Sequence, residues 1–164
     1  MKMELIQPFV NAADAVLAQM LECKPTLDKL TMEEEAYRRK GVAALVMVKG
    51  QIEGRIILDV DTDTALRMAN RLTGTELSGS DELVRETVCE LANQVIGNAV
   101  TTLNDQGCQF HVFPPQVHTD EHGAKSNEDT EVLVMSFETP CGTVYMNIAM
   151  HYLRRRRGEM VNAS

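Results

Sequence analysis

The chain has 164 residues, with 16 Lys and Arg against 24 Asp and Glu, and a net charge of −8. Because this charge repels phosphate backbones and anionic lipid headgroups, we expect neither nucleic acid nor a membrane among its partners. The length suits one domain, placed at residues 1–152, followed by a basic tail at 153–164 that contains Arg154 to Arg157. We expect a solvated tail, with contact to an anionic partner as the alternative.

The four cysteines are scattered without C-x-x-C spacing, and the N-terminus lacks the basic and apolar regions of a signal peptide. No apolar run approaches the roughly 20 residues that cross a bilayer. These features predict a cytoplasmic protein with reduced thiols.

In chain order, the sequence first predicts an amphipathic helix at Met3–Leu21, with Pro8 tolerated near its start. Residues 23–40 are interpreted as a charged linker. Val42–Val48 and Ile52–Val60 then form a predicted β-hairpin around a short polar turn.

Two helices follow this hairpin. Thr62–Leu72 predicts a short helix that ends at Gly74, because glycine is a common helix stop. A long helix is predicted at residues 81–103, with Ser80 as its N-cap.

The last part of the chain predicts more strands. Phe110–Phe113 is a short strand candidate, and Gln116–Thr130 is polar and predicted to be a loop. Val132–Glu138 and Thr143–His151 form a second predicted hairpin.

The two hairpins have similar apolar spacing, and each follows a long helix and a connecting segment. We infer a duplicated helix plus β-hairpin unit, and therefore an α+β fold with one mostly antiparallel sheet and the long helices packed on it. If Asn11 of the first helix corresponds to Asn93, Pro8 occupies the position of Glu90. One half of the chain then carries the pair formed by Glu90 and Asn93, and the other half does not.

The long helix places a polar stripe opposite its apolar side. Glu86, Glu90, Asn93 and Gly97 are spaced to stack on one face. The apolar side is predicted to comprise Val84, Val88, Leu91, Val95, Ala99 and Thr102, with Ala92 and Leu103 on its flank. An ordinary solvated helix face would explain much of this, but asparagine and glycine are both poor choices in a helix interior. Gly97 also leaves room for another molecule's backbone.

The E-x-x-N pattern at Glu90 and Asn93, on a long exposed helix, resembles the CheC and CheX family of chemotaxis phosphatases. Pro115 stands at about the family's downstream distance, whereas Glu86 replaces the usual Asp or Ser. The element order is similar over most of the chain, and a single E-x-x-N is more similar to CheX than to the two-site CheC.

This resemblance implies a phosphatase for the aspartyl phosphate of a CheY-like response regulator, with Glu90 and Asn93 as catalytic residues. Glu86, Gly97 and Pro115 are the expected partner-binding residues. No intrinsic cofactor is implied, since Mg²⁺ would be held by the partner receiver domain. A homodimer is also implied, with the second hairpin and the adjoining sheet edge as its candidate contact.

Two alternatives remain open from the sequence. One is a non-catalytic interaction module of the same fold that docks to a receiver or to another signalling protein. The other is a metal-dependent hydrolase built on His118, Asp120 and His122, although these residues follow two prolines in a predicted loop rather than a helix. We therefore expect no metal site.

Overall fold

Helices and strands follow one another along the chain in this computed structural model, which describes residues 3–33, 39–50, 53–77, 82–117 and 130–151. In chain order the elements are α1 (Met3–Leu21), β1 (Thr26–Glu33), β2 (Val42–Lys49), β3 (Glu53–Val60), α2 (Thr62–Thr73), α3 (Glu82–Asp105), β4 (His111–Val112), β5 (Gln116–Val117), β6 (Thr130–Thr139) and β7 (Gly142–His151). None of the helices in these ranges combines the length and the hydrophobicity that a membrane-spanning helix requires.

The strands form one antiparallel sheet whose order is symmetric about the β3 and β7 pair. From edge to edge the order is β1, β6, β7, β3, β2 and β4, with β5 also paired to β2. Each hairpin is extended by a strand from the other half of the chain, since β1 pairs with β6, whereas β4 and β5 pair with β2. The predicted fold of duplicated units in one sheet is confirmed, and each unit also contributes a strand to the other.

All three helices contribute to one core on a single face of the sheet. Alternate residues of the central strands point into this core, as the two-residue period of a strand requires. They are Ala44, Val46, Val48, Ile56, Leu58, Val60, Val144, Met146 and Ile148. The α3 helix packs against α1, α2 and β2. Its position is therefore fixed by apolar packing along its length.

The two long helices share part of their burial pattern. When Asn11 is aligned with Asn93, five buried residues of α1 fall on five buried residues of α3. The pairs are Ile6 with Val88, Phe9 with Leu91, Ala13 with Val95, Leu17 with Ala99, and Leu21 with Leu103. This register supports the duplication and the correspondence of Asn11 with Asn93.

The prediction of a charged linker at residues 23–40 was wrong, because Thr26–Glu33 is strand β1. Its apolar residues Leu27, Leu30 and Met32 do not alternate strictly, since the register with β6 shifts between Leu27 and Lys29, as at a β-bulge. A bulge inserts one residue and breaks the two-residue period. The strand pattern was therefore hidden in the sequence.

The remaining predicted boundaries are close to those observed. The α1 helix has the predicted bounds, and α2 ends with Gly74 in the left-handed conformation at φ 71°. The predicted loop at Gln116–Thr130 begins instead as strand β5. Residues 118–129, the predicted N-cap Ser80, and the predicted domain boundary with its arginine tail lie outside the described residues.

Candidate active site

The α3 helix, which carries the predicted site, is anchored by one continuous buried side. Its buried residues are Val84, Val88, Leu91, Ala92, Val95, Ile96, Ala99, Val100 and Leu103. Thr102 was predicted on this side but is exposed, and its hydroxyl donates to the carbonyl oxygen of Asn98 at 3.1 Å. The buried side instead turns through Ile96, Val100 and Leu103. With one side buried, the opposite side is presented as a fixed surface.

The predicted polar stripe faces away from the core. Glu86, Glu90 and Asn93 are exposed, and Gly97 is half-buried. Three- and four-residue spacings place neighbouring members about one helical turn apart. An acid and an amide are therefore held side by side, with their side chains open to another molecule.

The Glu90 carboxylate has a neighbour that the sequence reasoning missed. Gln94 Nε2 donates a hydrogen bond to Glu90 Oε1 at 3.0 Å. The signal available in the sequence was the four-residue spacing of an acid and an amide on one helix face. Because this bond uses one carboxylate oxygen, the other stays available for a partner's cation.

The side chain of Asn93, unlike that of Glu90, is not hydrogen-bonded to a neighbour on the helix. Within the described part of the chain, its side-chain amide has no hydrogen-bond partner. The amide therefore offers both its acceptor oxygen and its two N–H donors to water or a partner.

The nearby thiol of Cys89 is a poor nucleophile, because its pKa is raised. Burial is the larger cause, and the negative charge of Glu86 is the second.

Gly97 is not required by packing within the chain. A Cβ built at this position would meet no heavy atom within 4 Å. Glycine nevertheless weakens a helix interior by about 1 kcal/mol relative to alanine. The residue therefore leaves open space on the stripe at a cost to helix stability.

Pro115 lies between β4 and β5, in a segment that runs along β2 and contacts α3. It is half-buried, and its neighbours Phe113 and Val117 are exposed. The backbone N–H of Phe113 donates to the carbonyl oxygen of Met47 at 3.0 Å, and Lys49 Nζ lies 5.7 Å from the centre of the Phe113 ring. Phe113, Pro115 and Val117 are thus alternate apolar residues of a segment whose strands, β4 and β5, lie near α3.

The corresponding position on α1 lacks the acid. Pro8 is buried, and the exposed Asn11 accepts a hydrogen bond at Oδ1 from Gln7 Nε2 at 2.8 Å. The α1 helix therefore has no carboxylate three residues before its asparagine, and the oxygen of that asparagine already accepts a hydrogen bond. Of the two long helices, only α3 has the acid three residues before the asparagine, as the alignment of the two halves predicted.

The remaining sequence predictions concern a metal site and the cysteines. His118, Asp120 and His122 lie outside the described residues, and no group of three or more His, Cys, Asp or Glu that could hold a metal occurs within them. Cys23, Cys89, Cys108 and Cys141 are free thiols. Cys141 is buried, and Cys89 packs against the same core, as predicted for core cysteines.

Comparison with known proteins identifies the family. Residues 42–138 match the family described as Chemotaxis phosphatase CheX, a range that includes the E-x-x-N quartet, Gly97 and Pro115. The chain is 22% identical over 118 residues to CheY-P phosphatase CheX of Thermotoga maritima, covering 71% of this chain and 76% of that protein.

Solved structures have the same fold. The CheX chain of a CheX-CheY-BeF3-Mg complex from Borrelia burgdorferi is similar with a TM-score of 0.73 and 33% identity, over 89% of this chain and 97% of that one. A CheC-like superfamily protein from Shewanella sp. PV-4 is similar with a TM-score of 0.81 and 26% identity, over 92% and 99% of the two chains. The chain therefore belongs to the chemotaxis phosphatase CheX family.

Proposed function

We propose that this protein removes phosphate from the aspartyl phosphate of a CheY-like receiver domain, using Glu90 and Asn93. The observation that carries the proposal is the position of these two side chains, together on the exposed face of a helix whose other face is buried. The Thermotoga maritima relative is a CheY-P phosphatase, and the Borrelia burgdorferi relative forms a complex with CheY.

Hydrolysis of an aspartyl phosphate requires few catalytic groups from the enzyme. An acyl phosphate is already activated, so its hydrolysis needs mainly a positioned water and stabilisation of charge. In the proposed mechanism, Asn93 enters the receiver's active site and its amide holds a water in line with the phosphorus atom. This use suits an exposed amide without a partner in the described residues.

Glu90 has a docking role in this mechanism. Its carboxylate pairs with the lysine of the receiver's active site, which fixes both that lysine and the helix. The receiver's own carboxylates would hold Mg²⁺, which would supply neutralisation of charge on the phosphoryl oxygens. Glu86, Gly97 and Pro115 form the proposed contact surface around the inserted pair.

We also propose a homodimer, in which β1 is the contact edge. Leu27, Leu30 and Met32 on this strand are 39%, 40% and 56% exposed, and β1 pairs only with β6 among the described strands. An edge strand with exposed apolar residues is a template for pairing with another chain. The second hairpin itself is flanked on both sides by β1 and β3, so the adjoining edge is the better candidate.

The experiment that tests the function measures loss of phosphate from the cognate phosphorylated receiver with and without the purified protein. The proposal predicts faster loss that depends on protein concentration. A receiver that binds the protein but keeps its normal phosphate lifetime would support the non-catalytic module instead. The non-catalytic alternative is suggested by Glu86, which stands where the family usually has Asp or Ser.

A further inference from the structure

We propose that Gln94 is a positioning residue that orients the Glu90 carboxylate towards the receiver's lysine; this inference rests on the proposed function. Both side chains are exposed, and Gln94 Nε2 lies 3.0 Å from Glu90 Oε1. In the described part of the chain, this is the hydrogen bond that the Glu90 side chain makes. It restrains one carboxylate oxygen and leaves the second for the incoming lysine.

The charges along the stripe favour the same orientation. Glu86, Glu90 and Gln94 stand on successive helical turns. Like charges four residues apart repel, so Glu86 disfavours a Glu90 carboxylate that turns towards the helix N-terminus. Long side chains on a helix lean towards its N-terminus, so Gln94 reaches back to Glu90. Repulsion from one side and a hydrogen bond from the other both hold the carboxylate near Gln94.

The α1 helix also has a glutamine that donates a hydrogen bond to a residue four positions away, but the acceptor there is the asparagine. There Gln7 binds the oxygen of Asn11. On α3 the residue four before Asn93 is Cys89, a half-buried thiol, and the glutamine instead follows Glu90 by four residues. The bond on α3 therefore restrains the acid and leaves the catalytic amide free.

This arrangement has a kinetic consequence. An exposed glutamate populates several rotamers, and ordering it on docking opposes binding. A carboxylate that is already oriented loses less freedom when the lysine arrives. Because Gln94 acts on docking rather than on the attacking water, its loss should weaken capture of the phosphorylated receiver and leave the chemical step unchanged.

The test is Gln94→Met, which keeps the length of the side chain and removes the donor. Steady-state hydrolysis of the phosphorylated receiver should show KM raised by about threefold to tenfold, the size expected when one more side chain must be ordered on docking. The value of kcat should stay within about twofold of the wild type, because the interaction serves binding. Gln7→Met is the matched control, since it removes the same bond on α1, and its KM should not change.

A second measurement asks whether Gln94 acts through Glu90. Affinity for the beryllofluoride-activated receiver should fall with Gln94→Met in the wild type, but show no further fall in a Glu90→Ala background. Equal weakening in both backgrounds, or an unchanged KM in folded Gln94→Met, would overturn the inference while leaving the proposed function intact. A wild-type protein that releases no phosphate from its receiver would overturn the proposed function, and this inference with it.

Discussion

Asn11 and Asn93 occupy equivalent positions on the two long helices, but only Asn11 has its amide oxygen bound within the described residues. Gln7 donates to Asn11 at 2.8 Å, whereas Asn93 is exposed beside a glutamate that is itself bound by Gln94. The duplicated helices thus present two different surfaces. On α1 the oxygen of the asparagine accepts a hydrogen bond, whereas on α3 the whole amide is free for a partner within the described residues.

Gly97→Ala should stabilise the protein and impair its activity. Alanine meets no atom within 4 Å at this position, so the helix should gain about 1 kcal/mol in free energy of unfolding. The added methyl group protrudes from the proposed docking stripe, so affinity for the activated receiver should fall. Thermal unfolding and receiver binding check the two effects.

Gly107→Ala provides a contrast to this substitution. Its Cβ would also meet nothing within 4 Å, but its φ is 100°, which strains an alanine. We expect lower stability and unchanged receiver affinity. Unchanged affinity in Gly97→Ala would contradict the proposed contact at that residue.

Met32→Lys should weaken the proposed dimer. Met32 is the most exposed of the apolar residues on β1, and an edge lysine opposes pairing between strands. Since a symmetric contact would contain two copies of the change, we expect the dissociation constant to rise by about tenfold or more. Sedimentation at several concentrations measures it.

Leu72→Lys is the control for this change, because Leu72 is also exposed but lies on α2. It should leave the association unaffected. Equal association of the wild type and Met32→Lys would place the contact elsewhere.

Asp61 should stabilise α2 in a pH-dependent manner. Its carboxylate accepts from the backbone N–H of Thr64 at 2.7 Å, and that bond lowers the pKa of Asp61 below the ordinary value of 3.8. A lowered folded-state pKa means that the contribution is present above about pH 4 and is lost as the pH falls through the folded-state value. Asp61→Ala should cost about 1 kcal/mol near pH 7, the usual size for a lost N-cap.

Denaturant unfolding at pH 7 and in acid checks this prediction. The difference between wild type and Asp61→Ala should shrink in acid. Asp61→Asn keeps a capping oxygen without a titrating group, so its cap should persist at both pH values. A cost for Asp61→Ala that is the same in acid as at pH 7 would exclude a charge-dependent cap.

Much of the fold could be predicted from the regular spacing of apolar residues in the sequence. The α1 helix, both hairpins and the exposure of Glu90 and Asn93 could be predicted, because each depends on a regular apolar period. The family resemblance supplied the chemical roles, which no spacing of residues could have done. These roles stay predictions until the site is tested.

The features that could not be predicted depend on irregular or long-range structure. Strand β1 was missed because its register shifts after Leu27. Thr102 was placed on the wrong side because the buried face of α3 turns towards Ile96 and Val100. Gln94 was overlooked because one polar residue on a helix surface has many possible orientations, and only the structure shows its bond to Glu90.

The most direct test of the proposed mechanism compares Asn93→Ala with Asn11→Ala in the rate of phosphate loss from the phosphorylated receiver at saturating concentration. Both variants truncate an exposed asparagine at an equivalent helical position, so their effects on folding should be similar and small. The proposed mechanism predicts a fall of about a hundredfold or more for Asn93→Ala, as for the loss of a group that acts on the reacting atoms, and wild-type activity for Asn11→Ala. Full activity of a folded Asn93→Ala protein would contradict a catalytic role for Asn93.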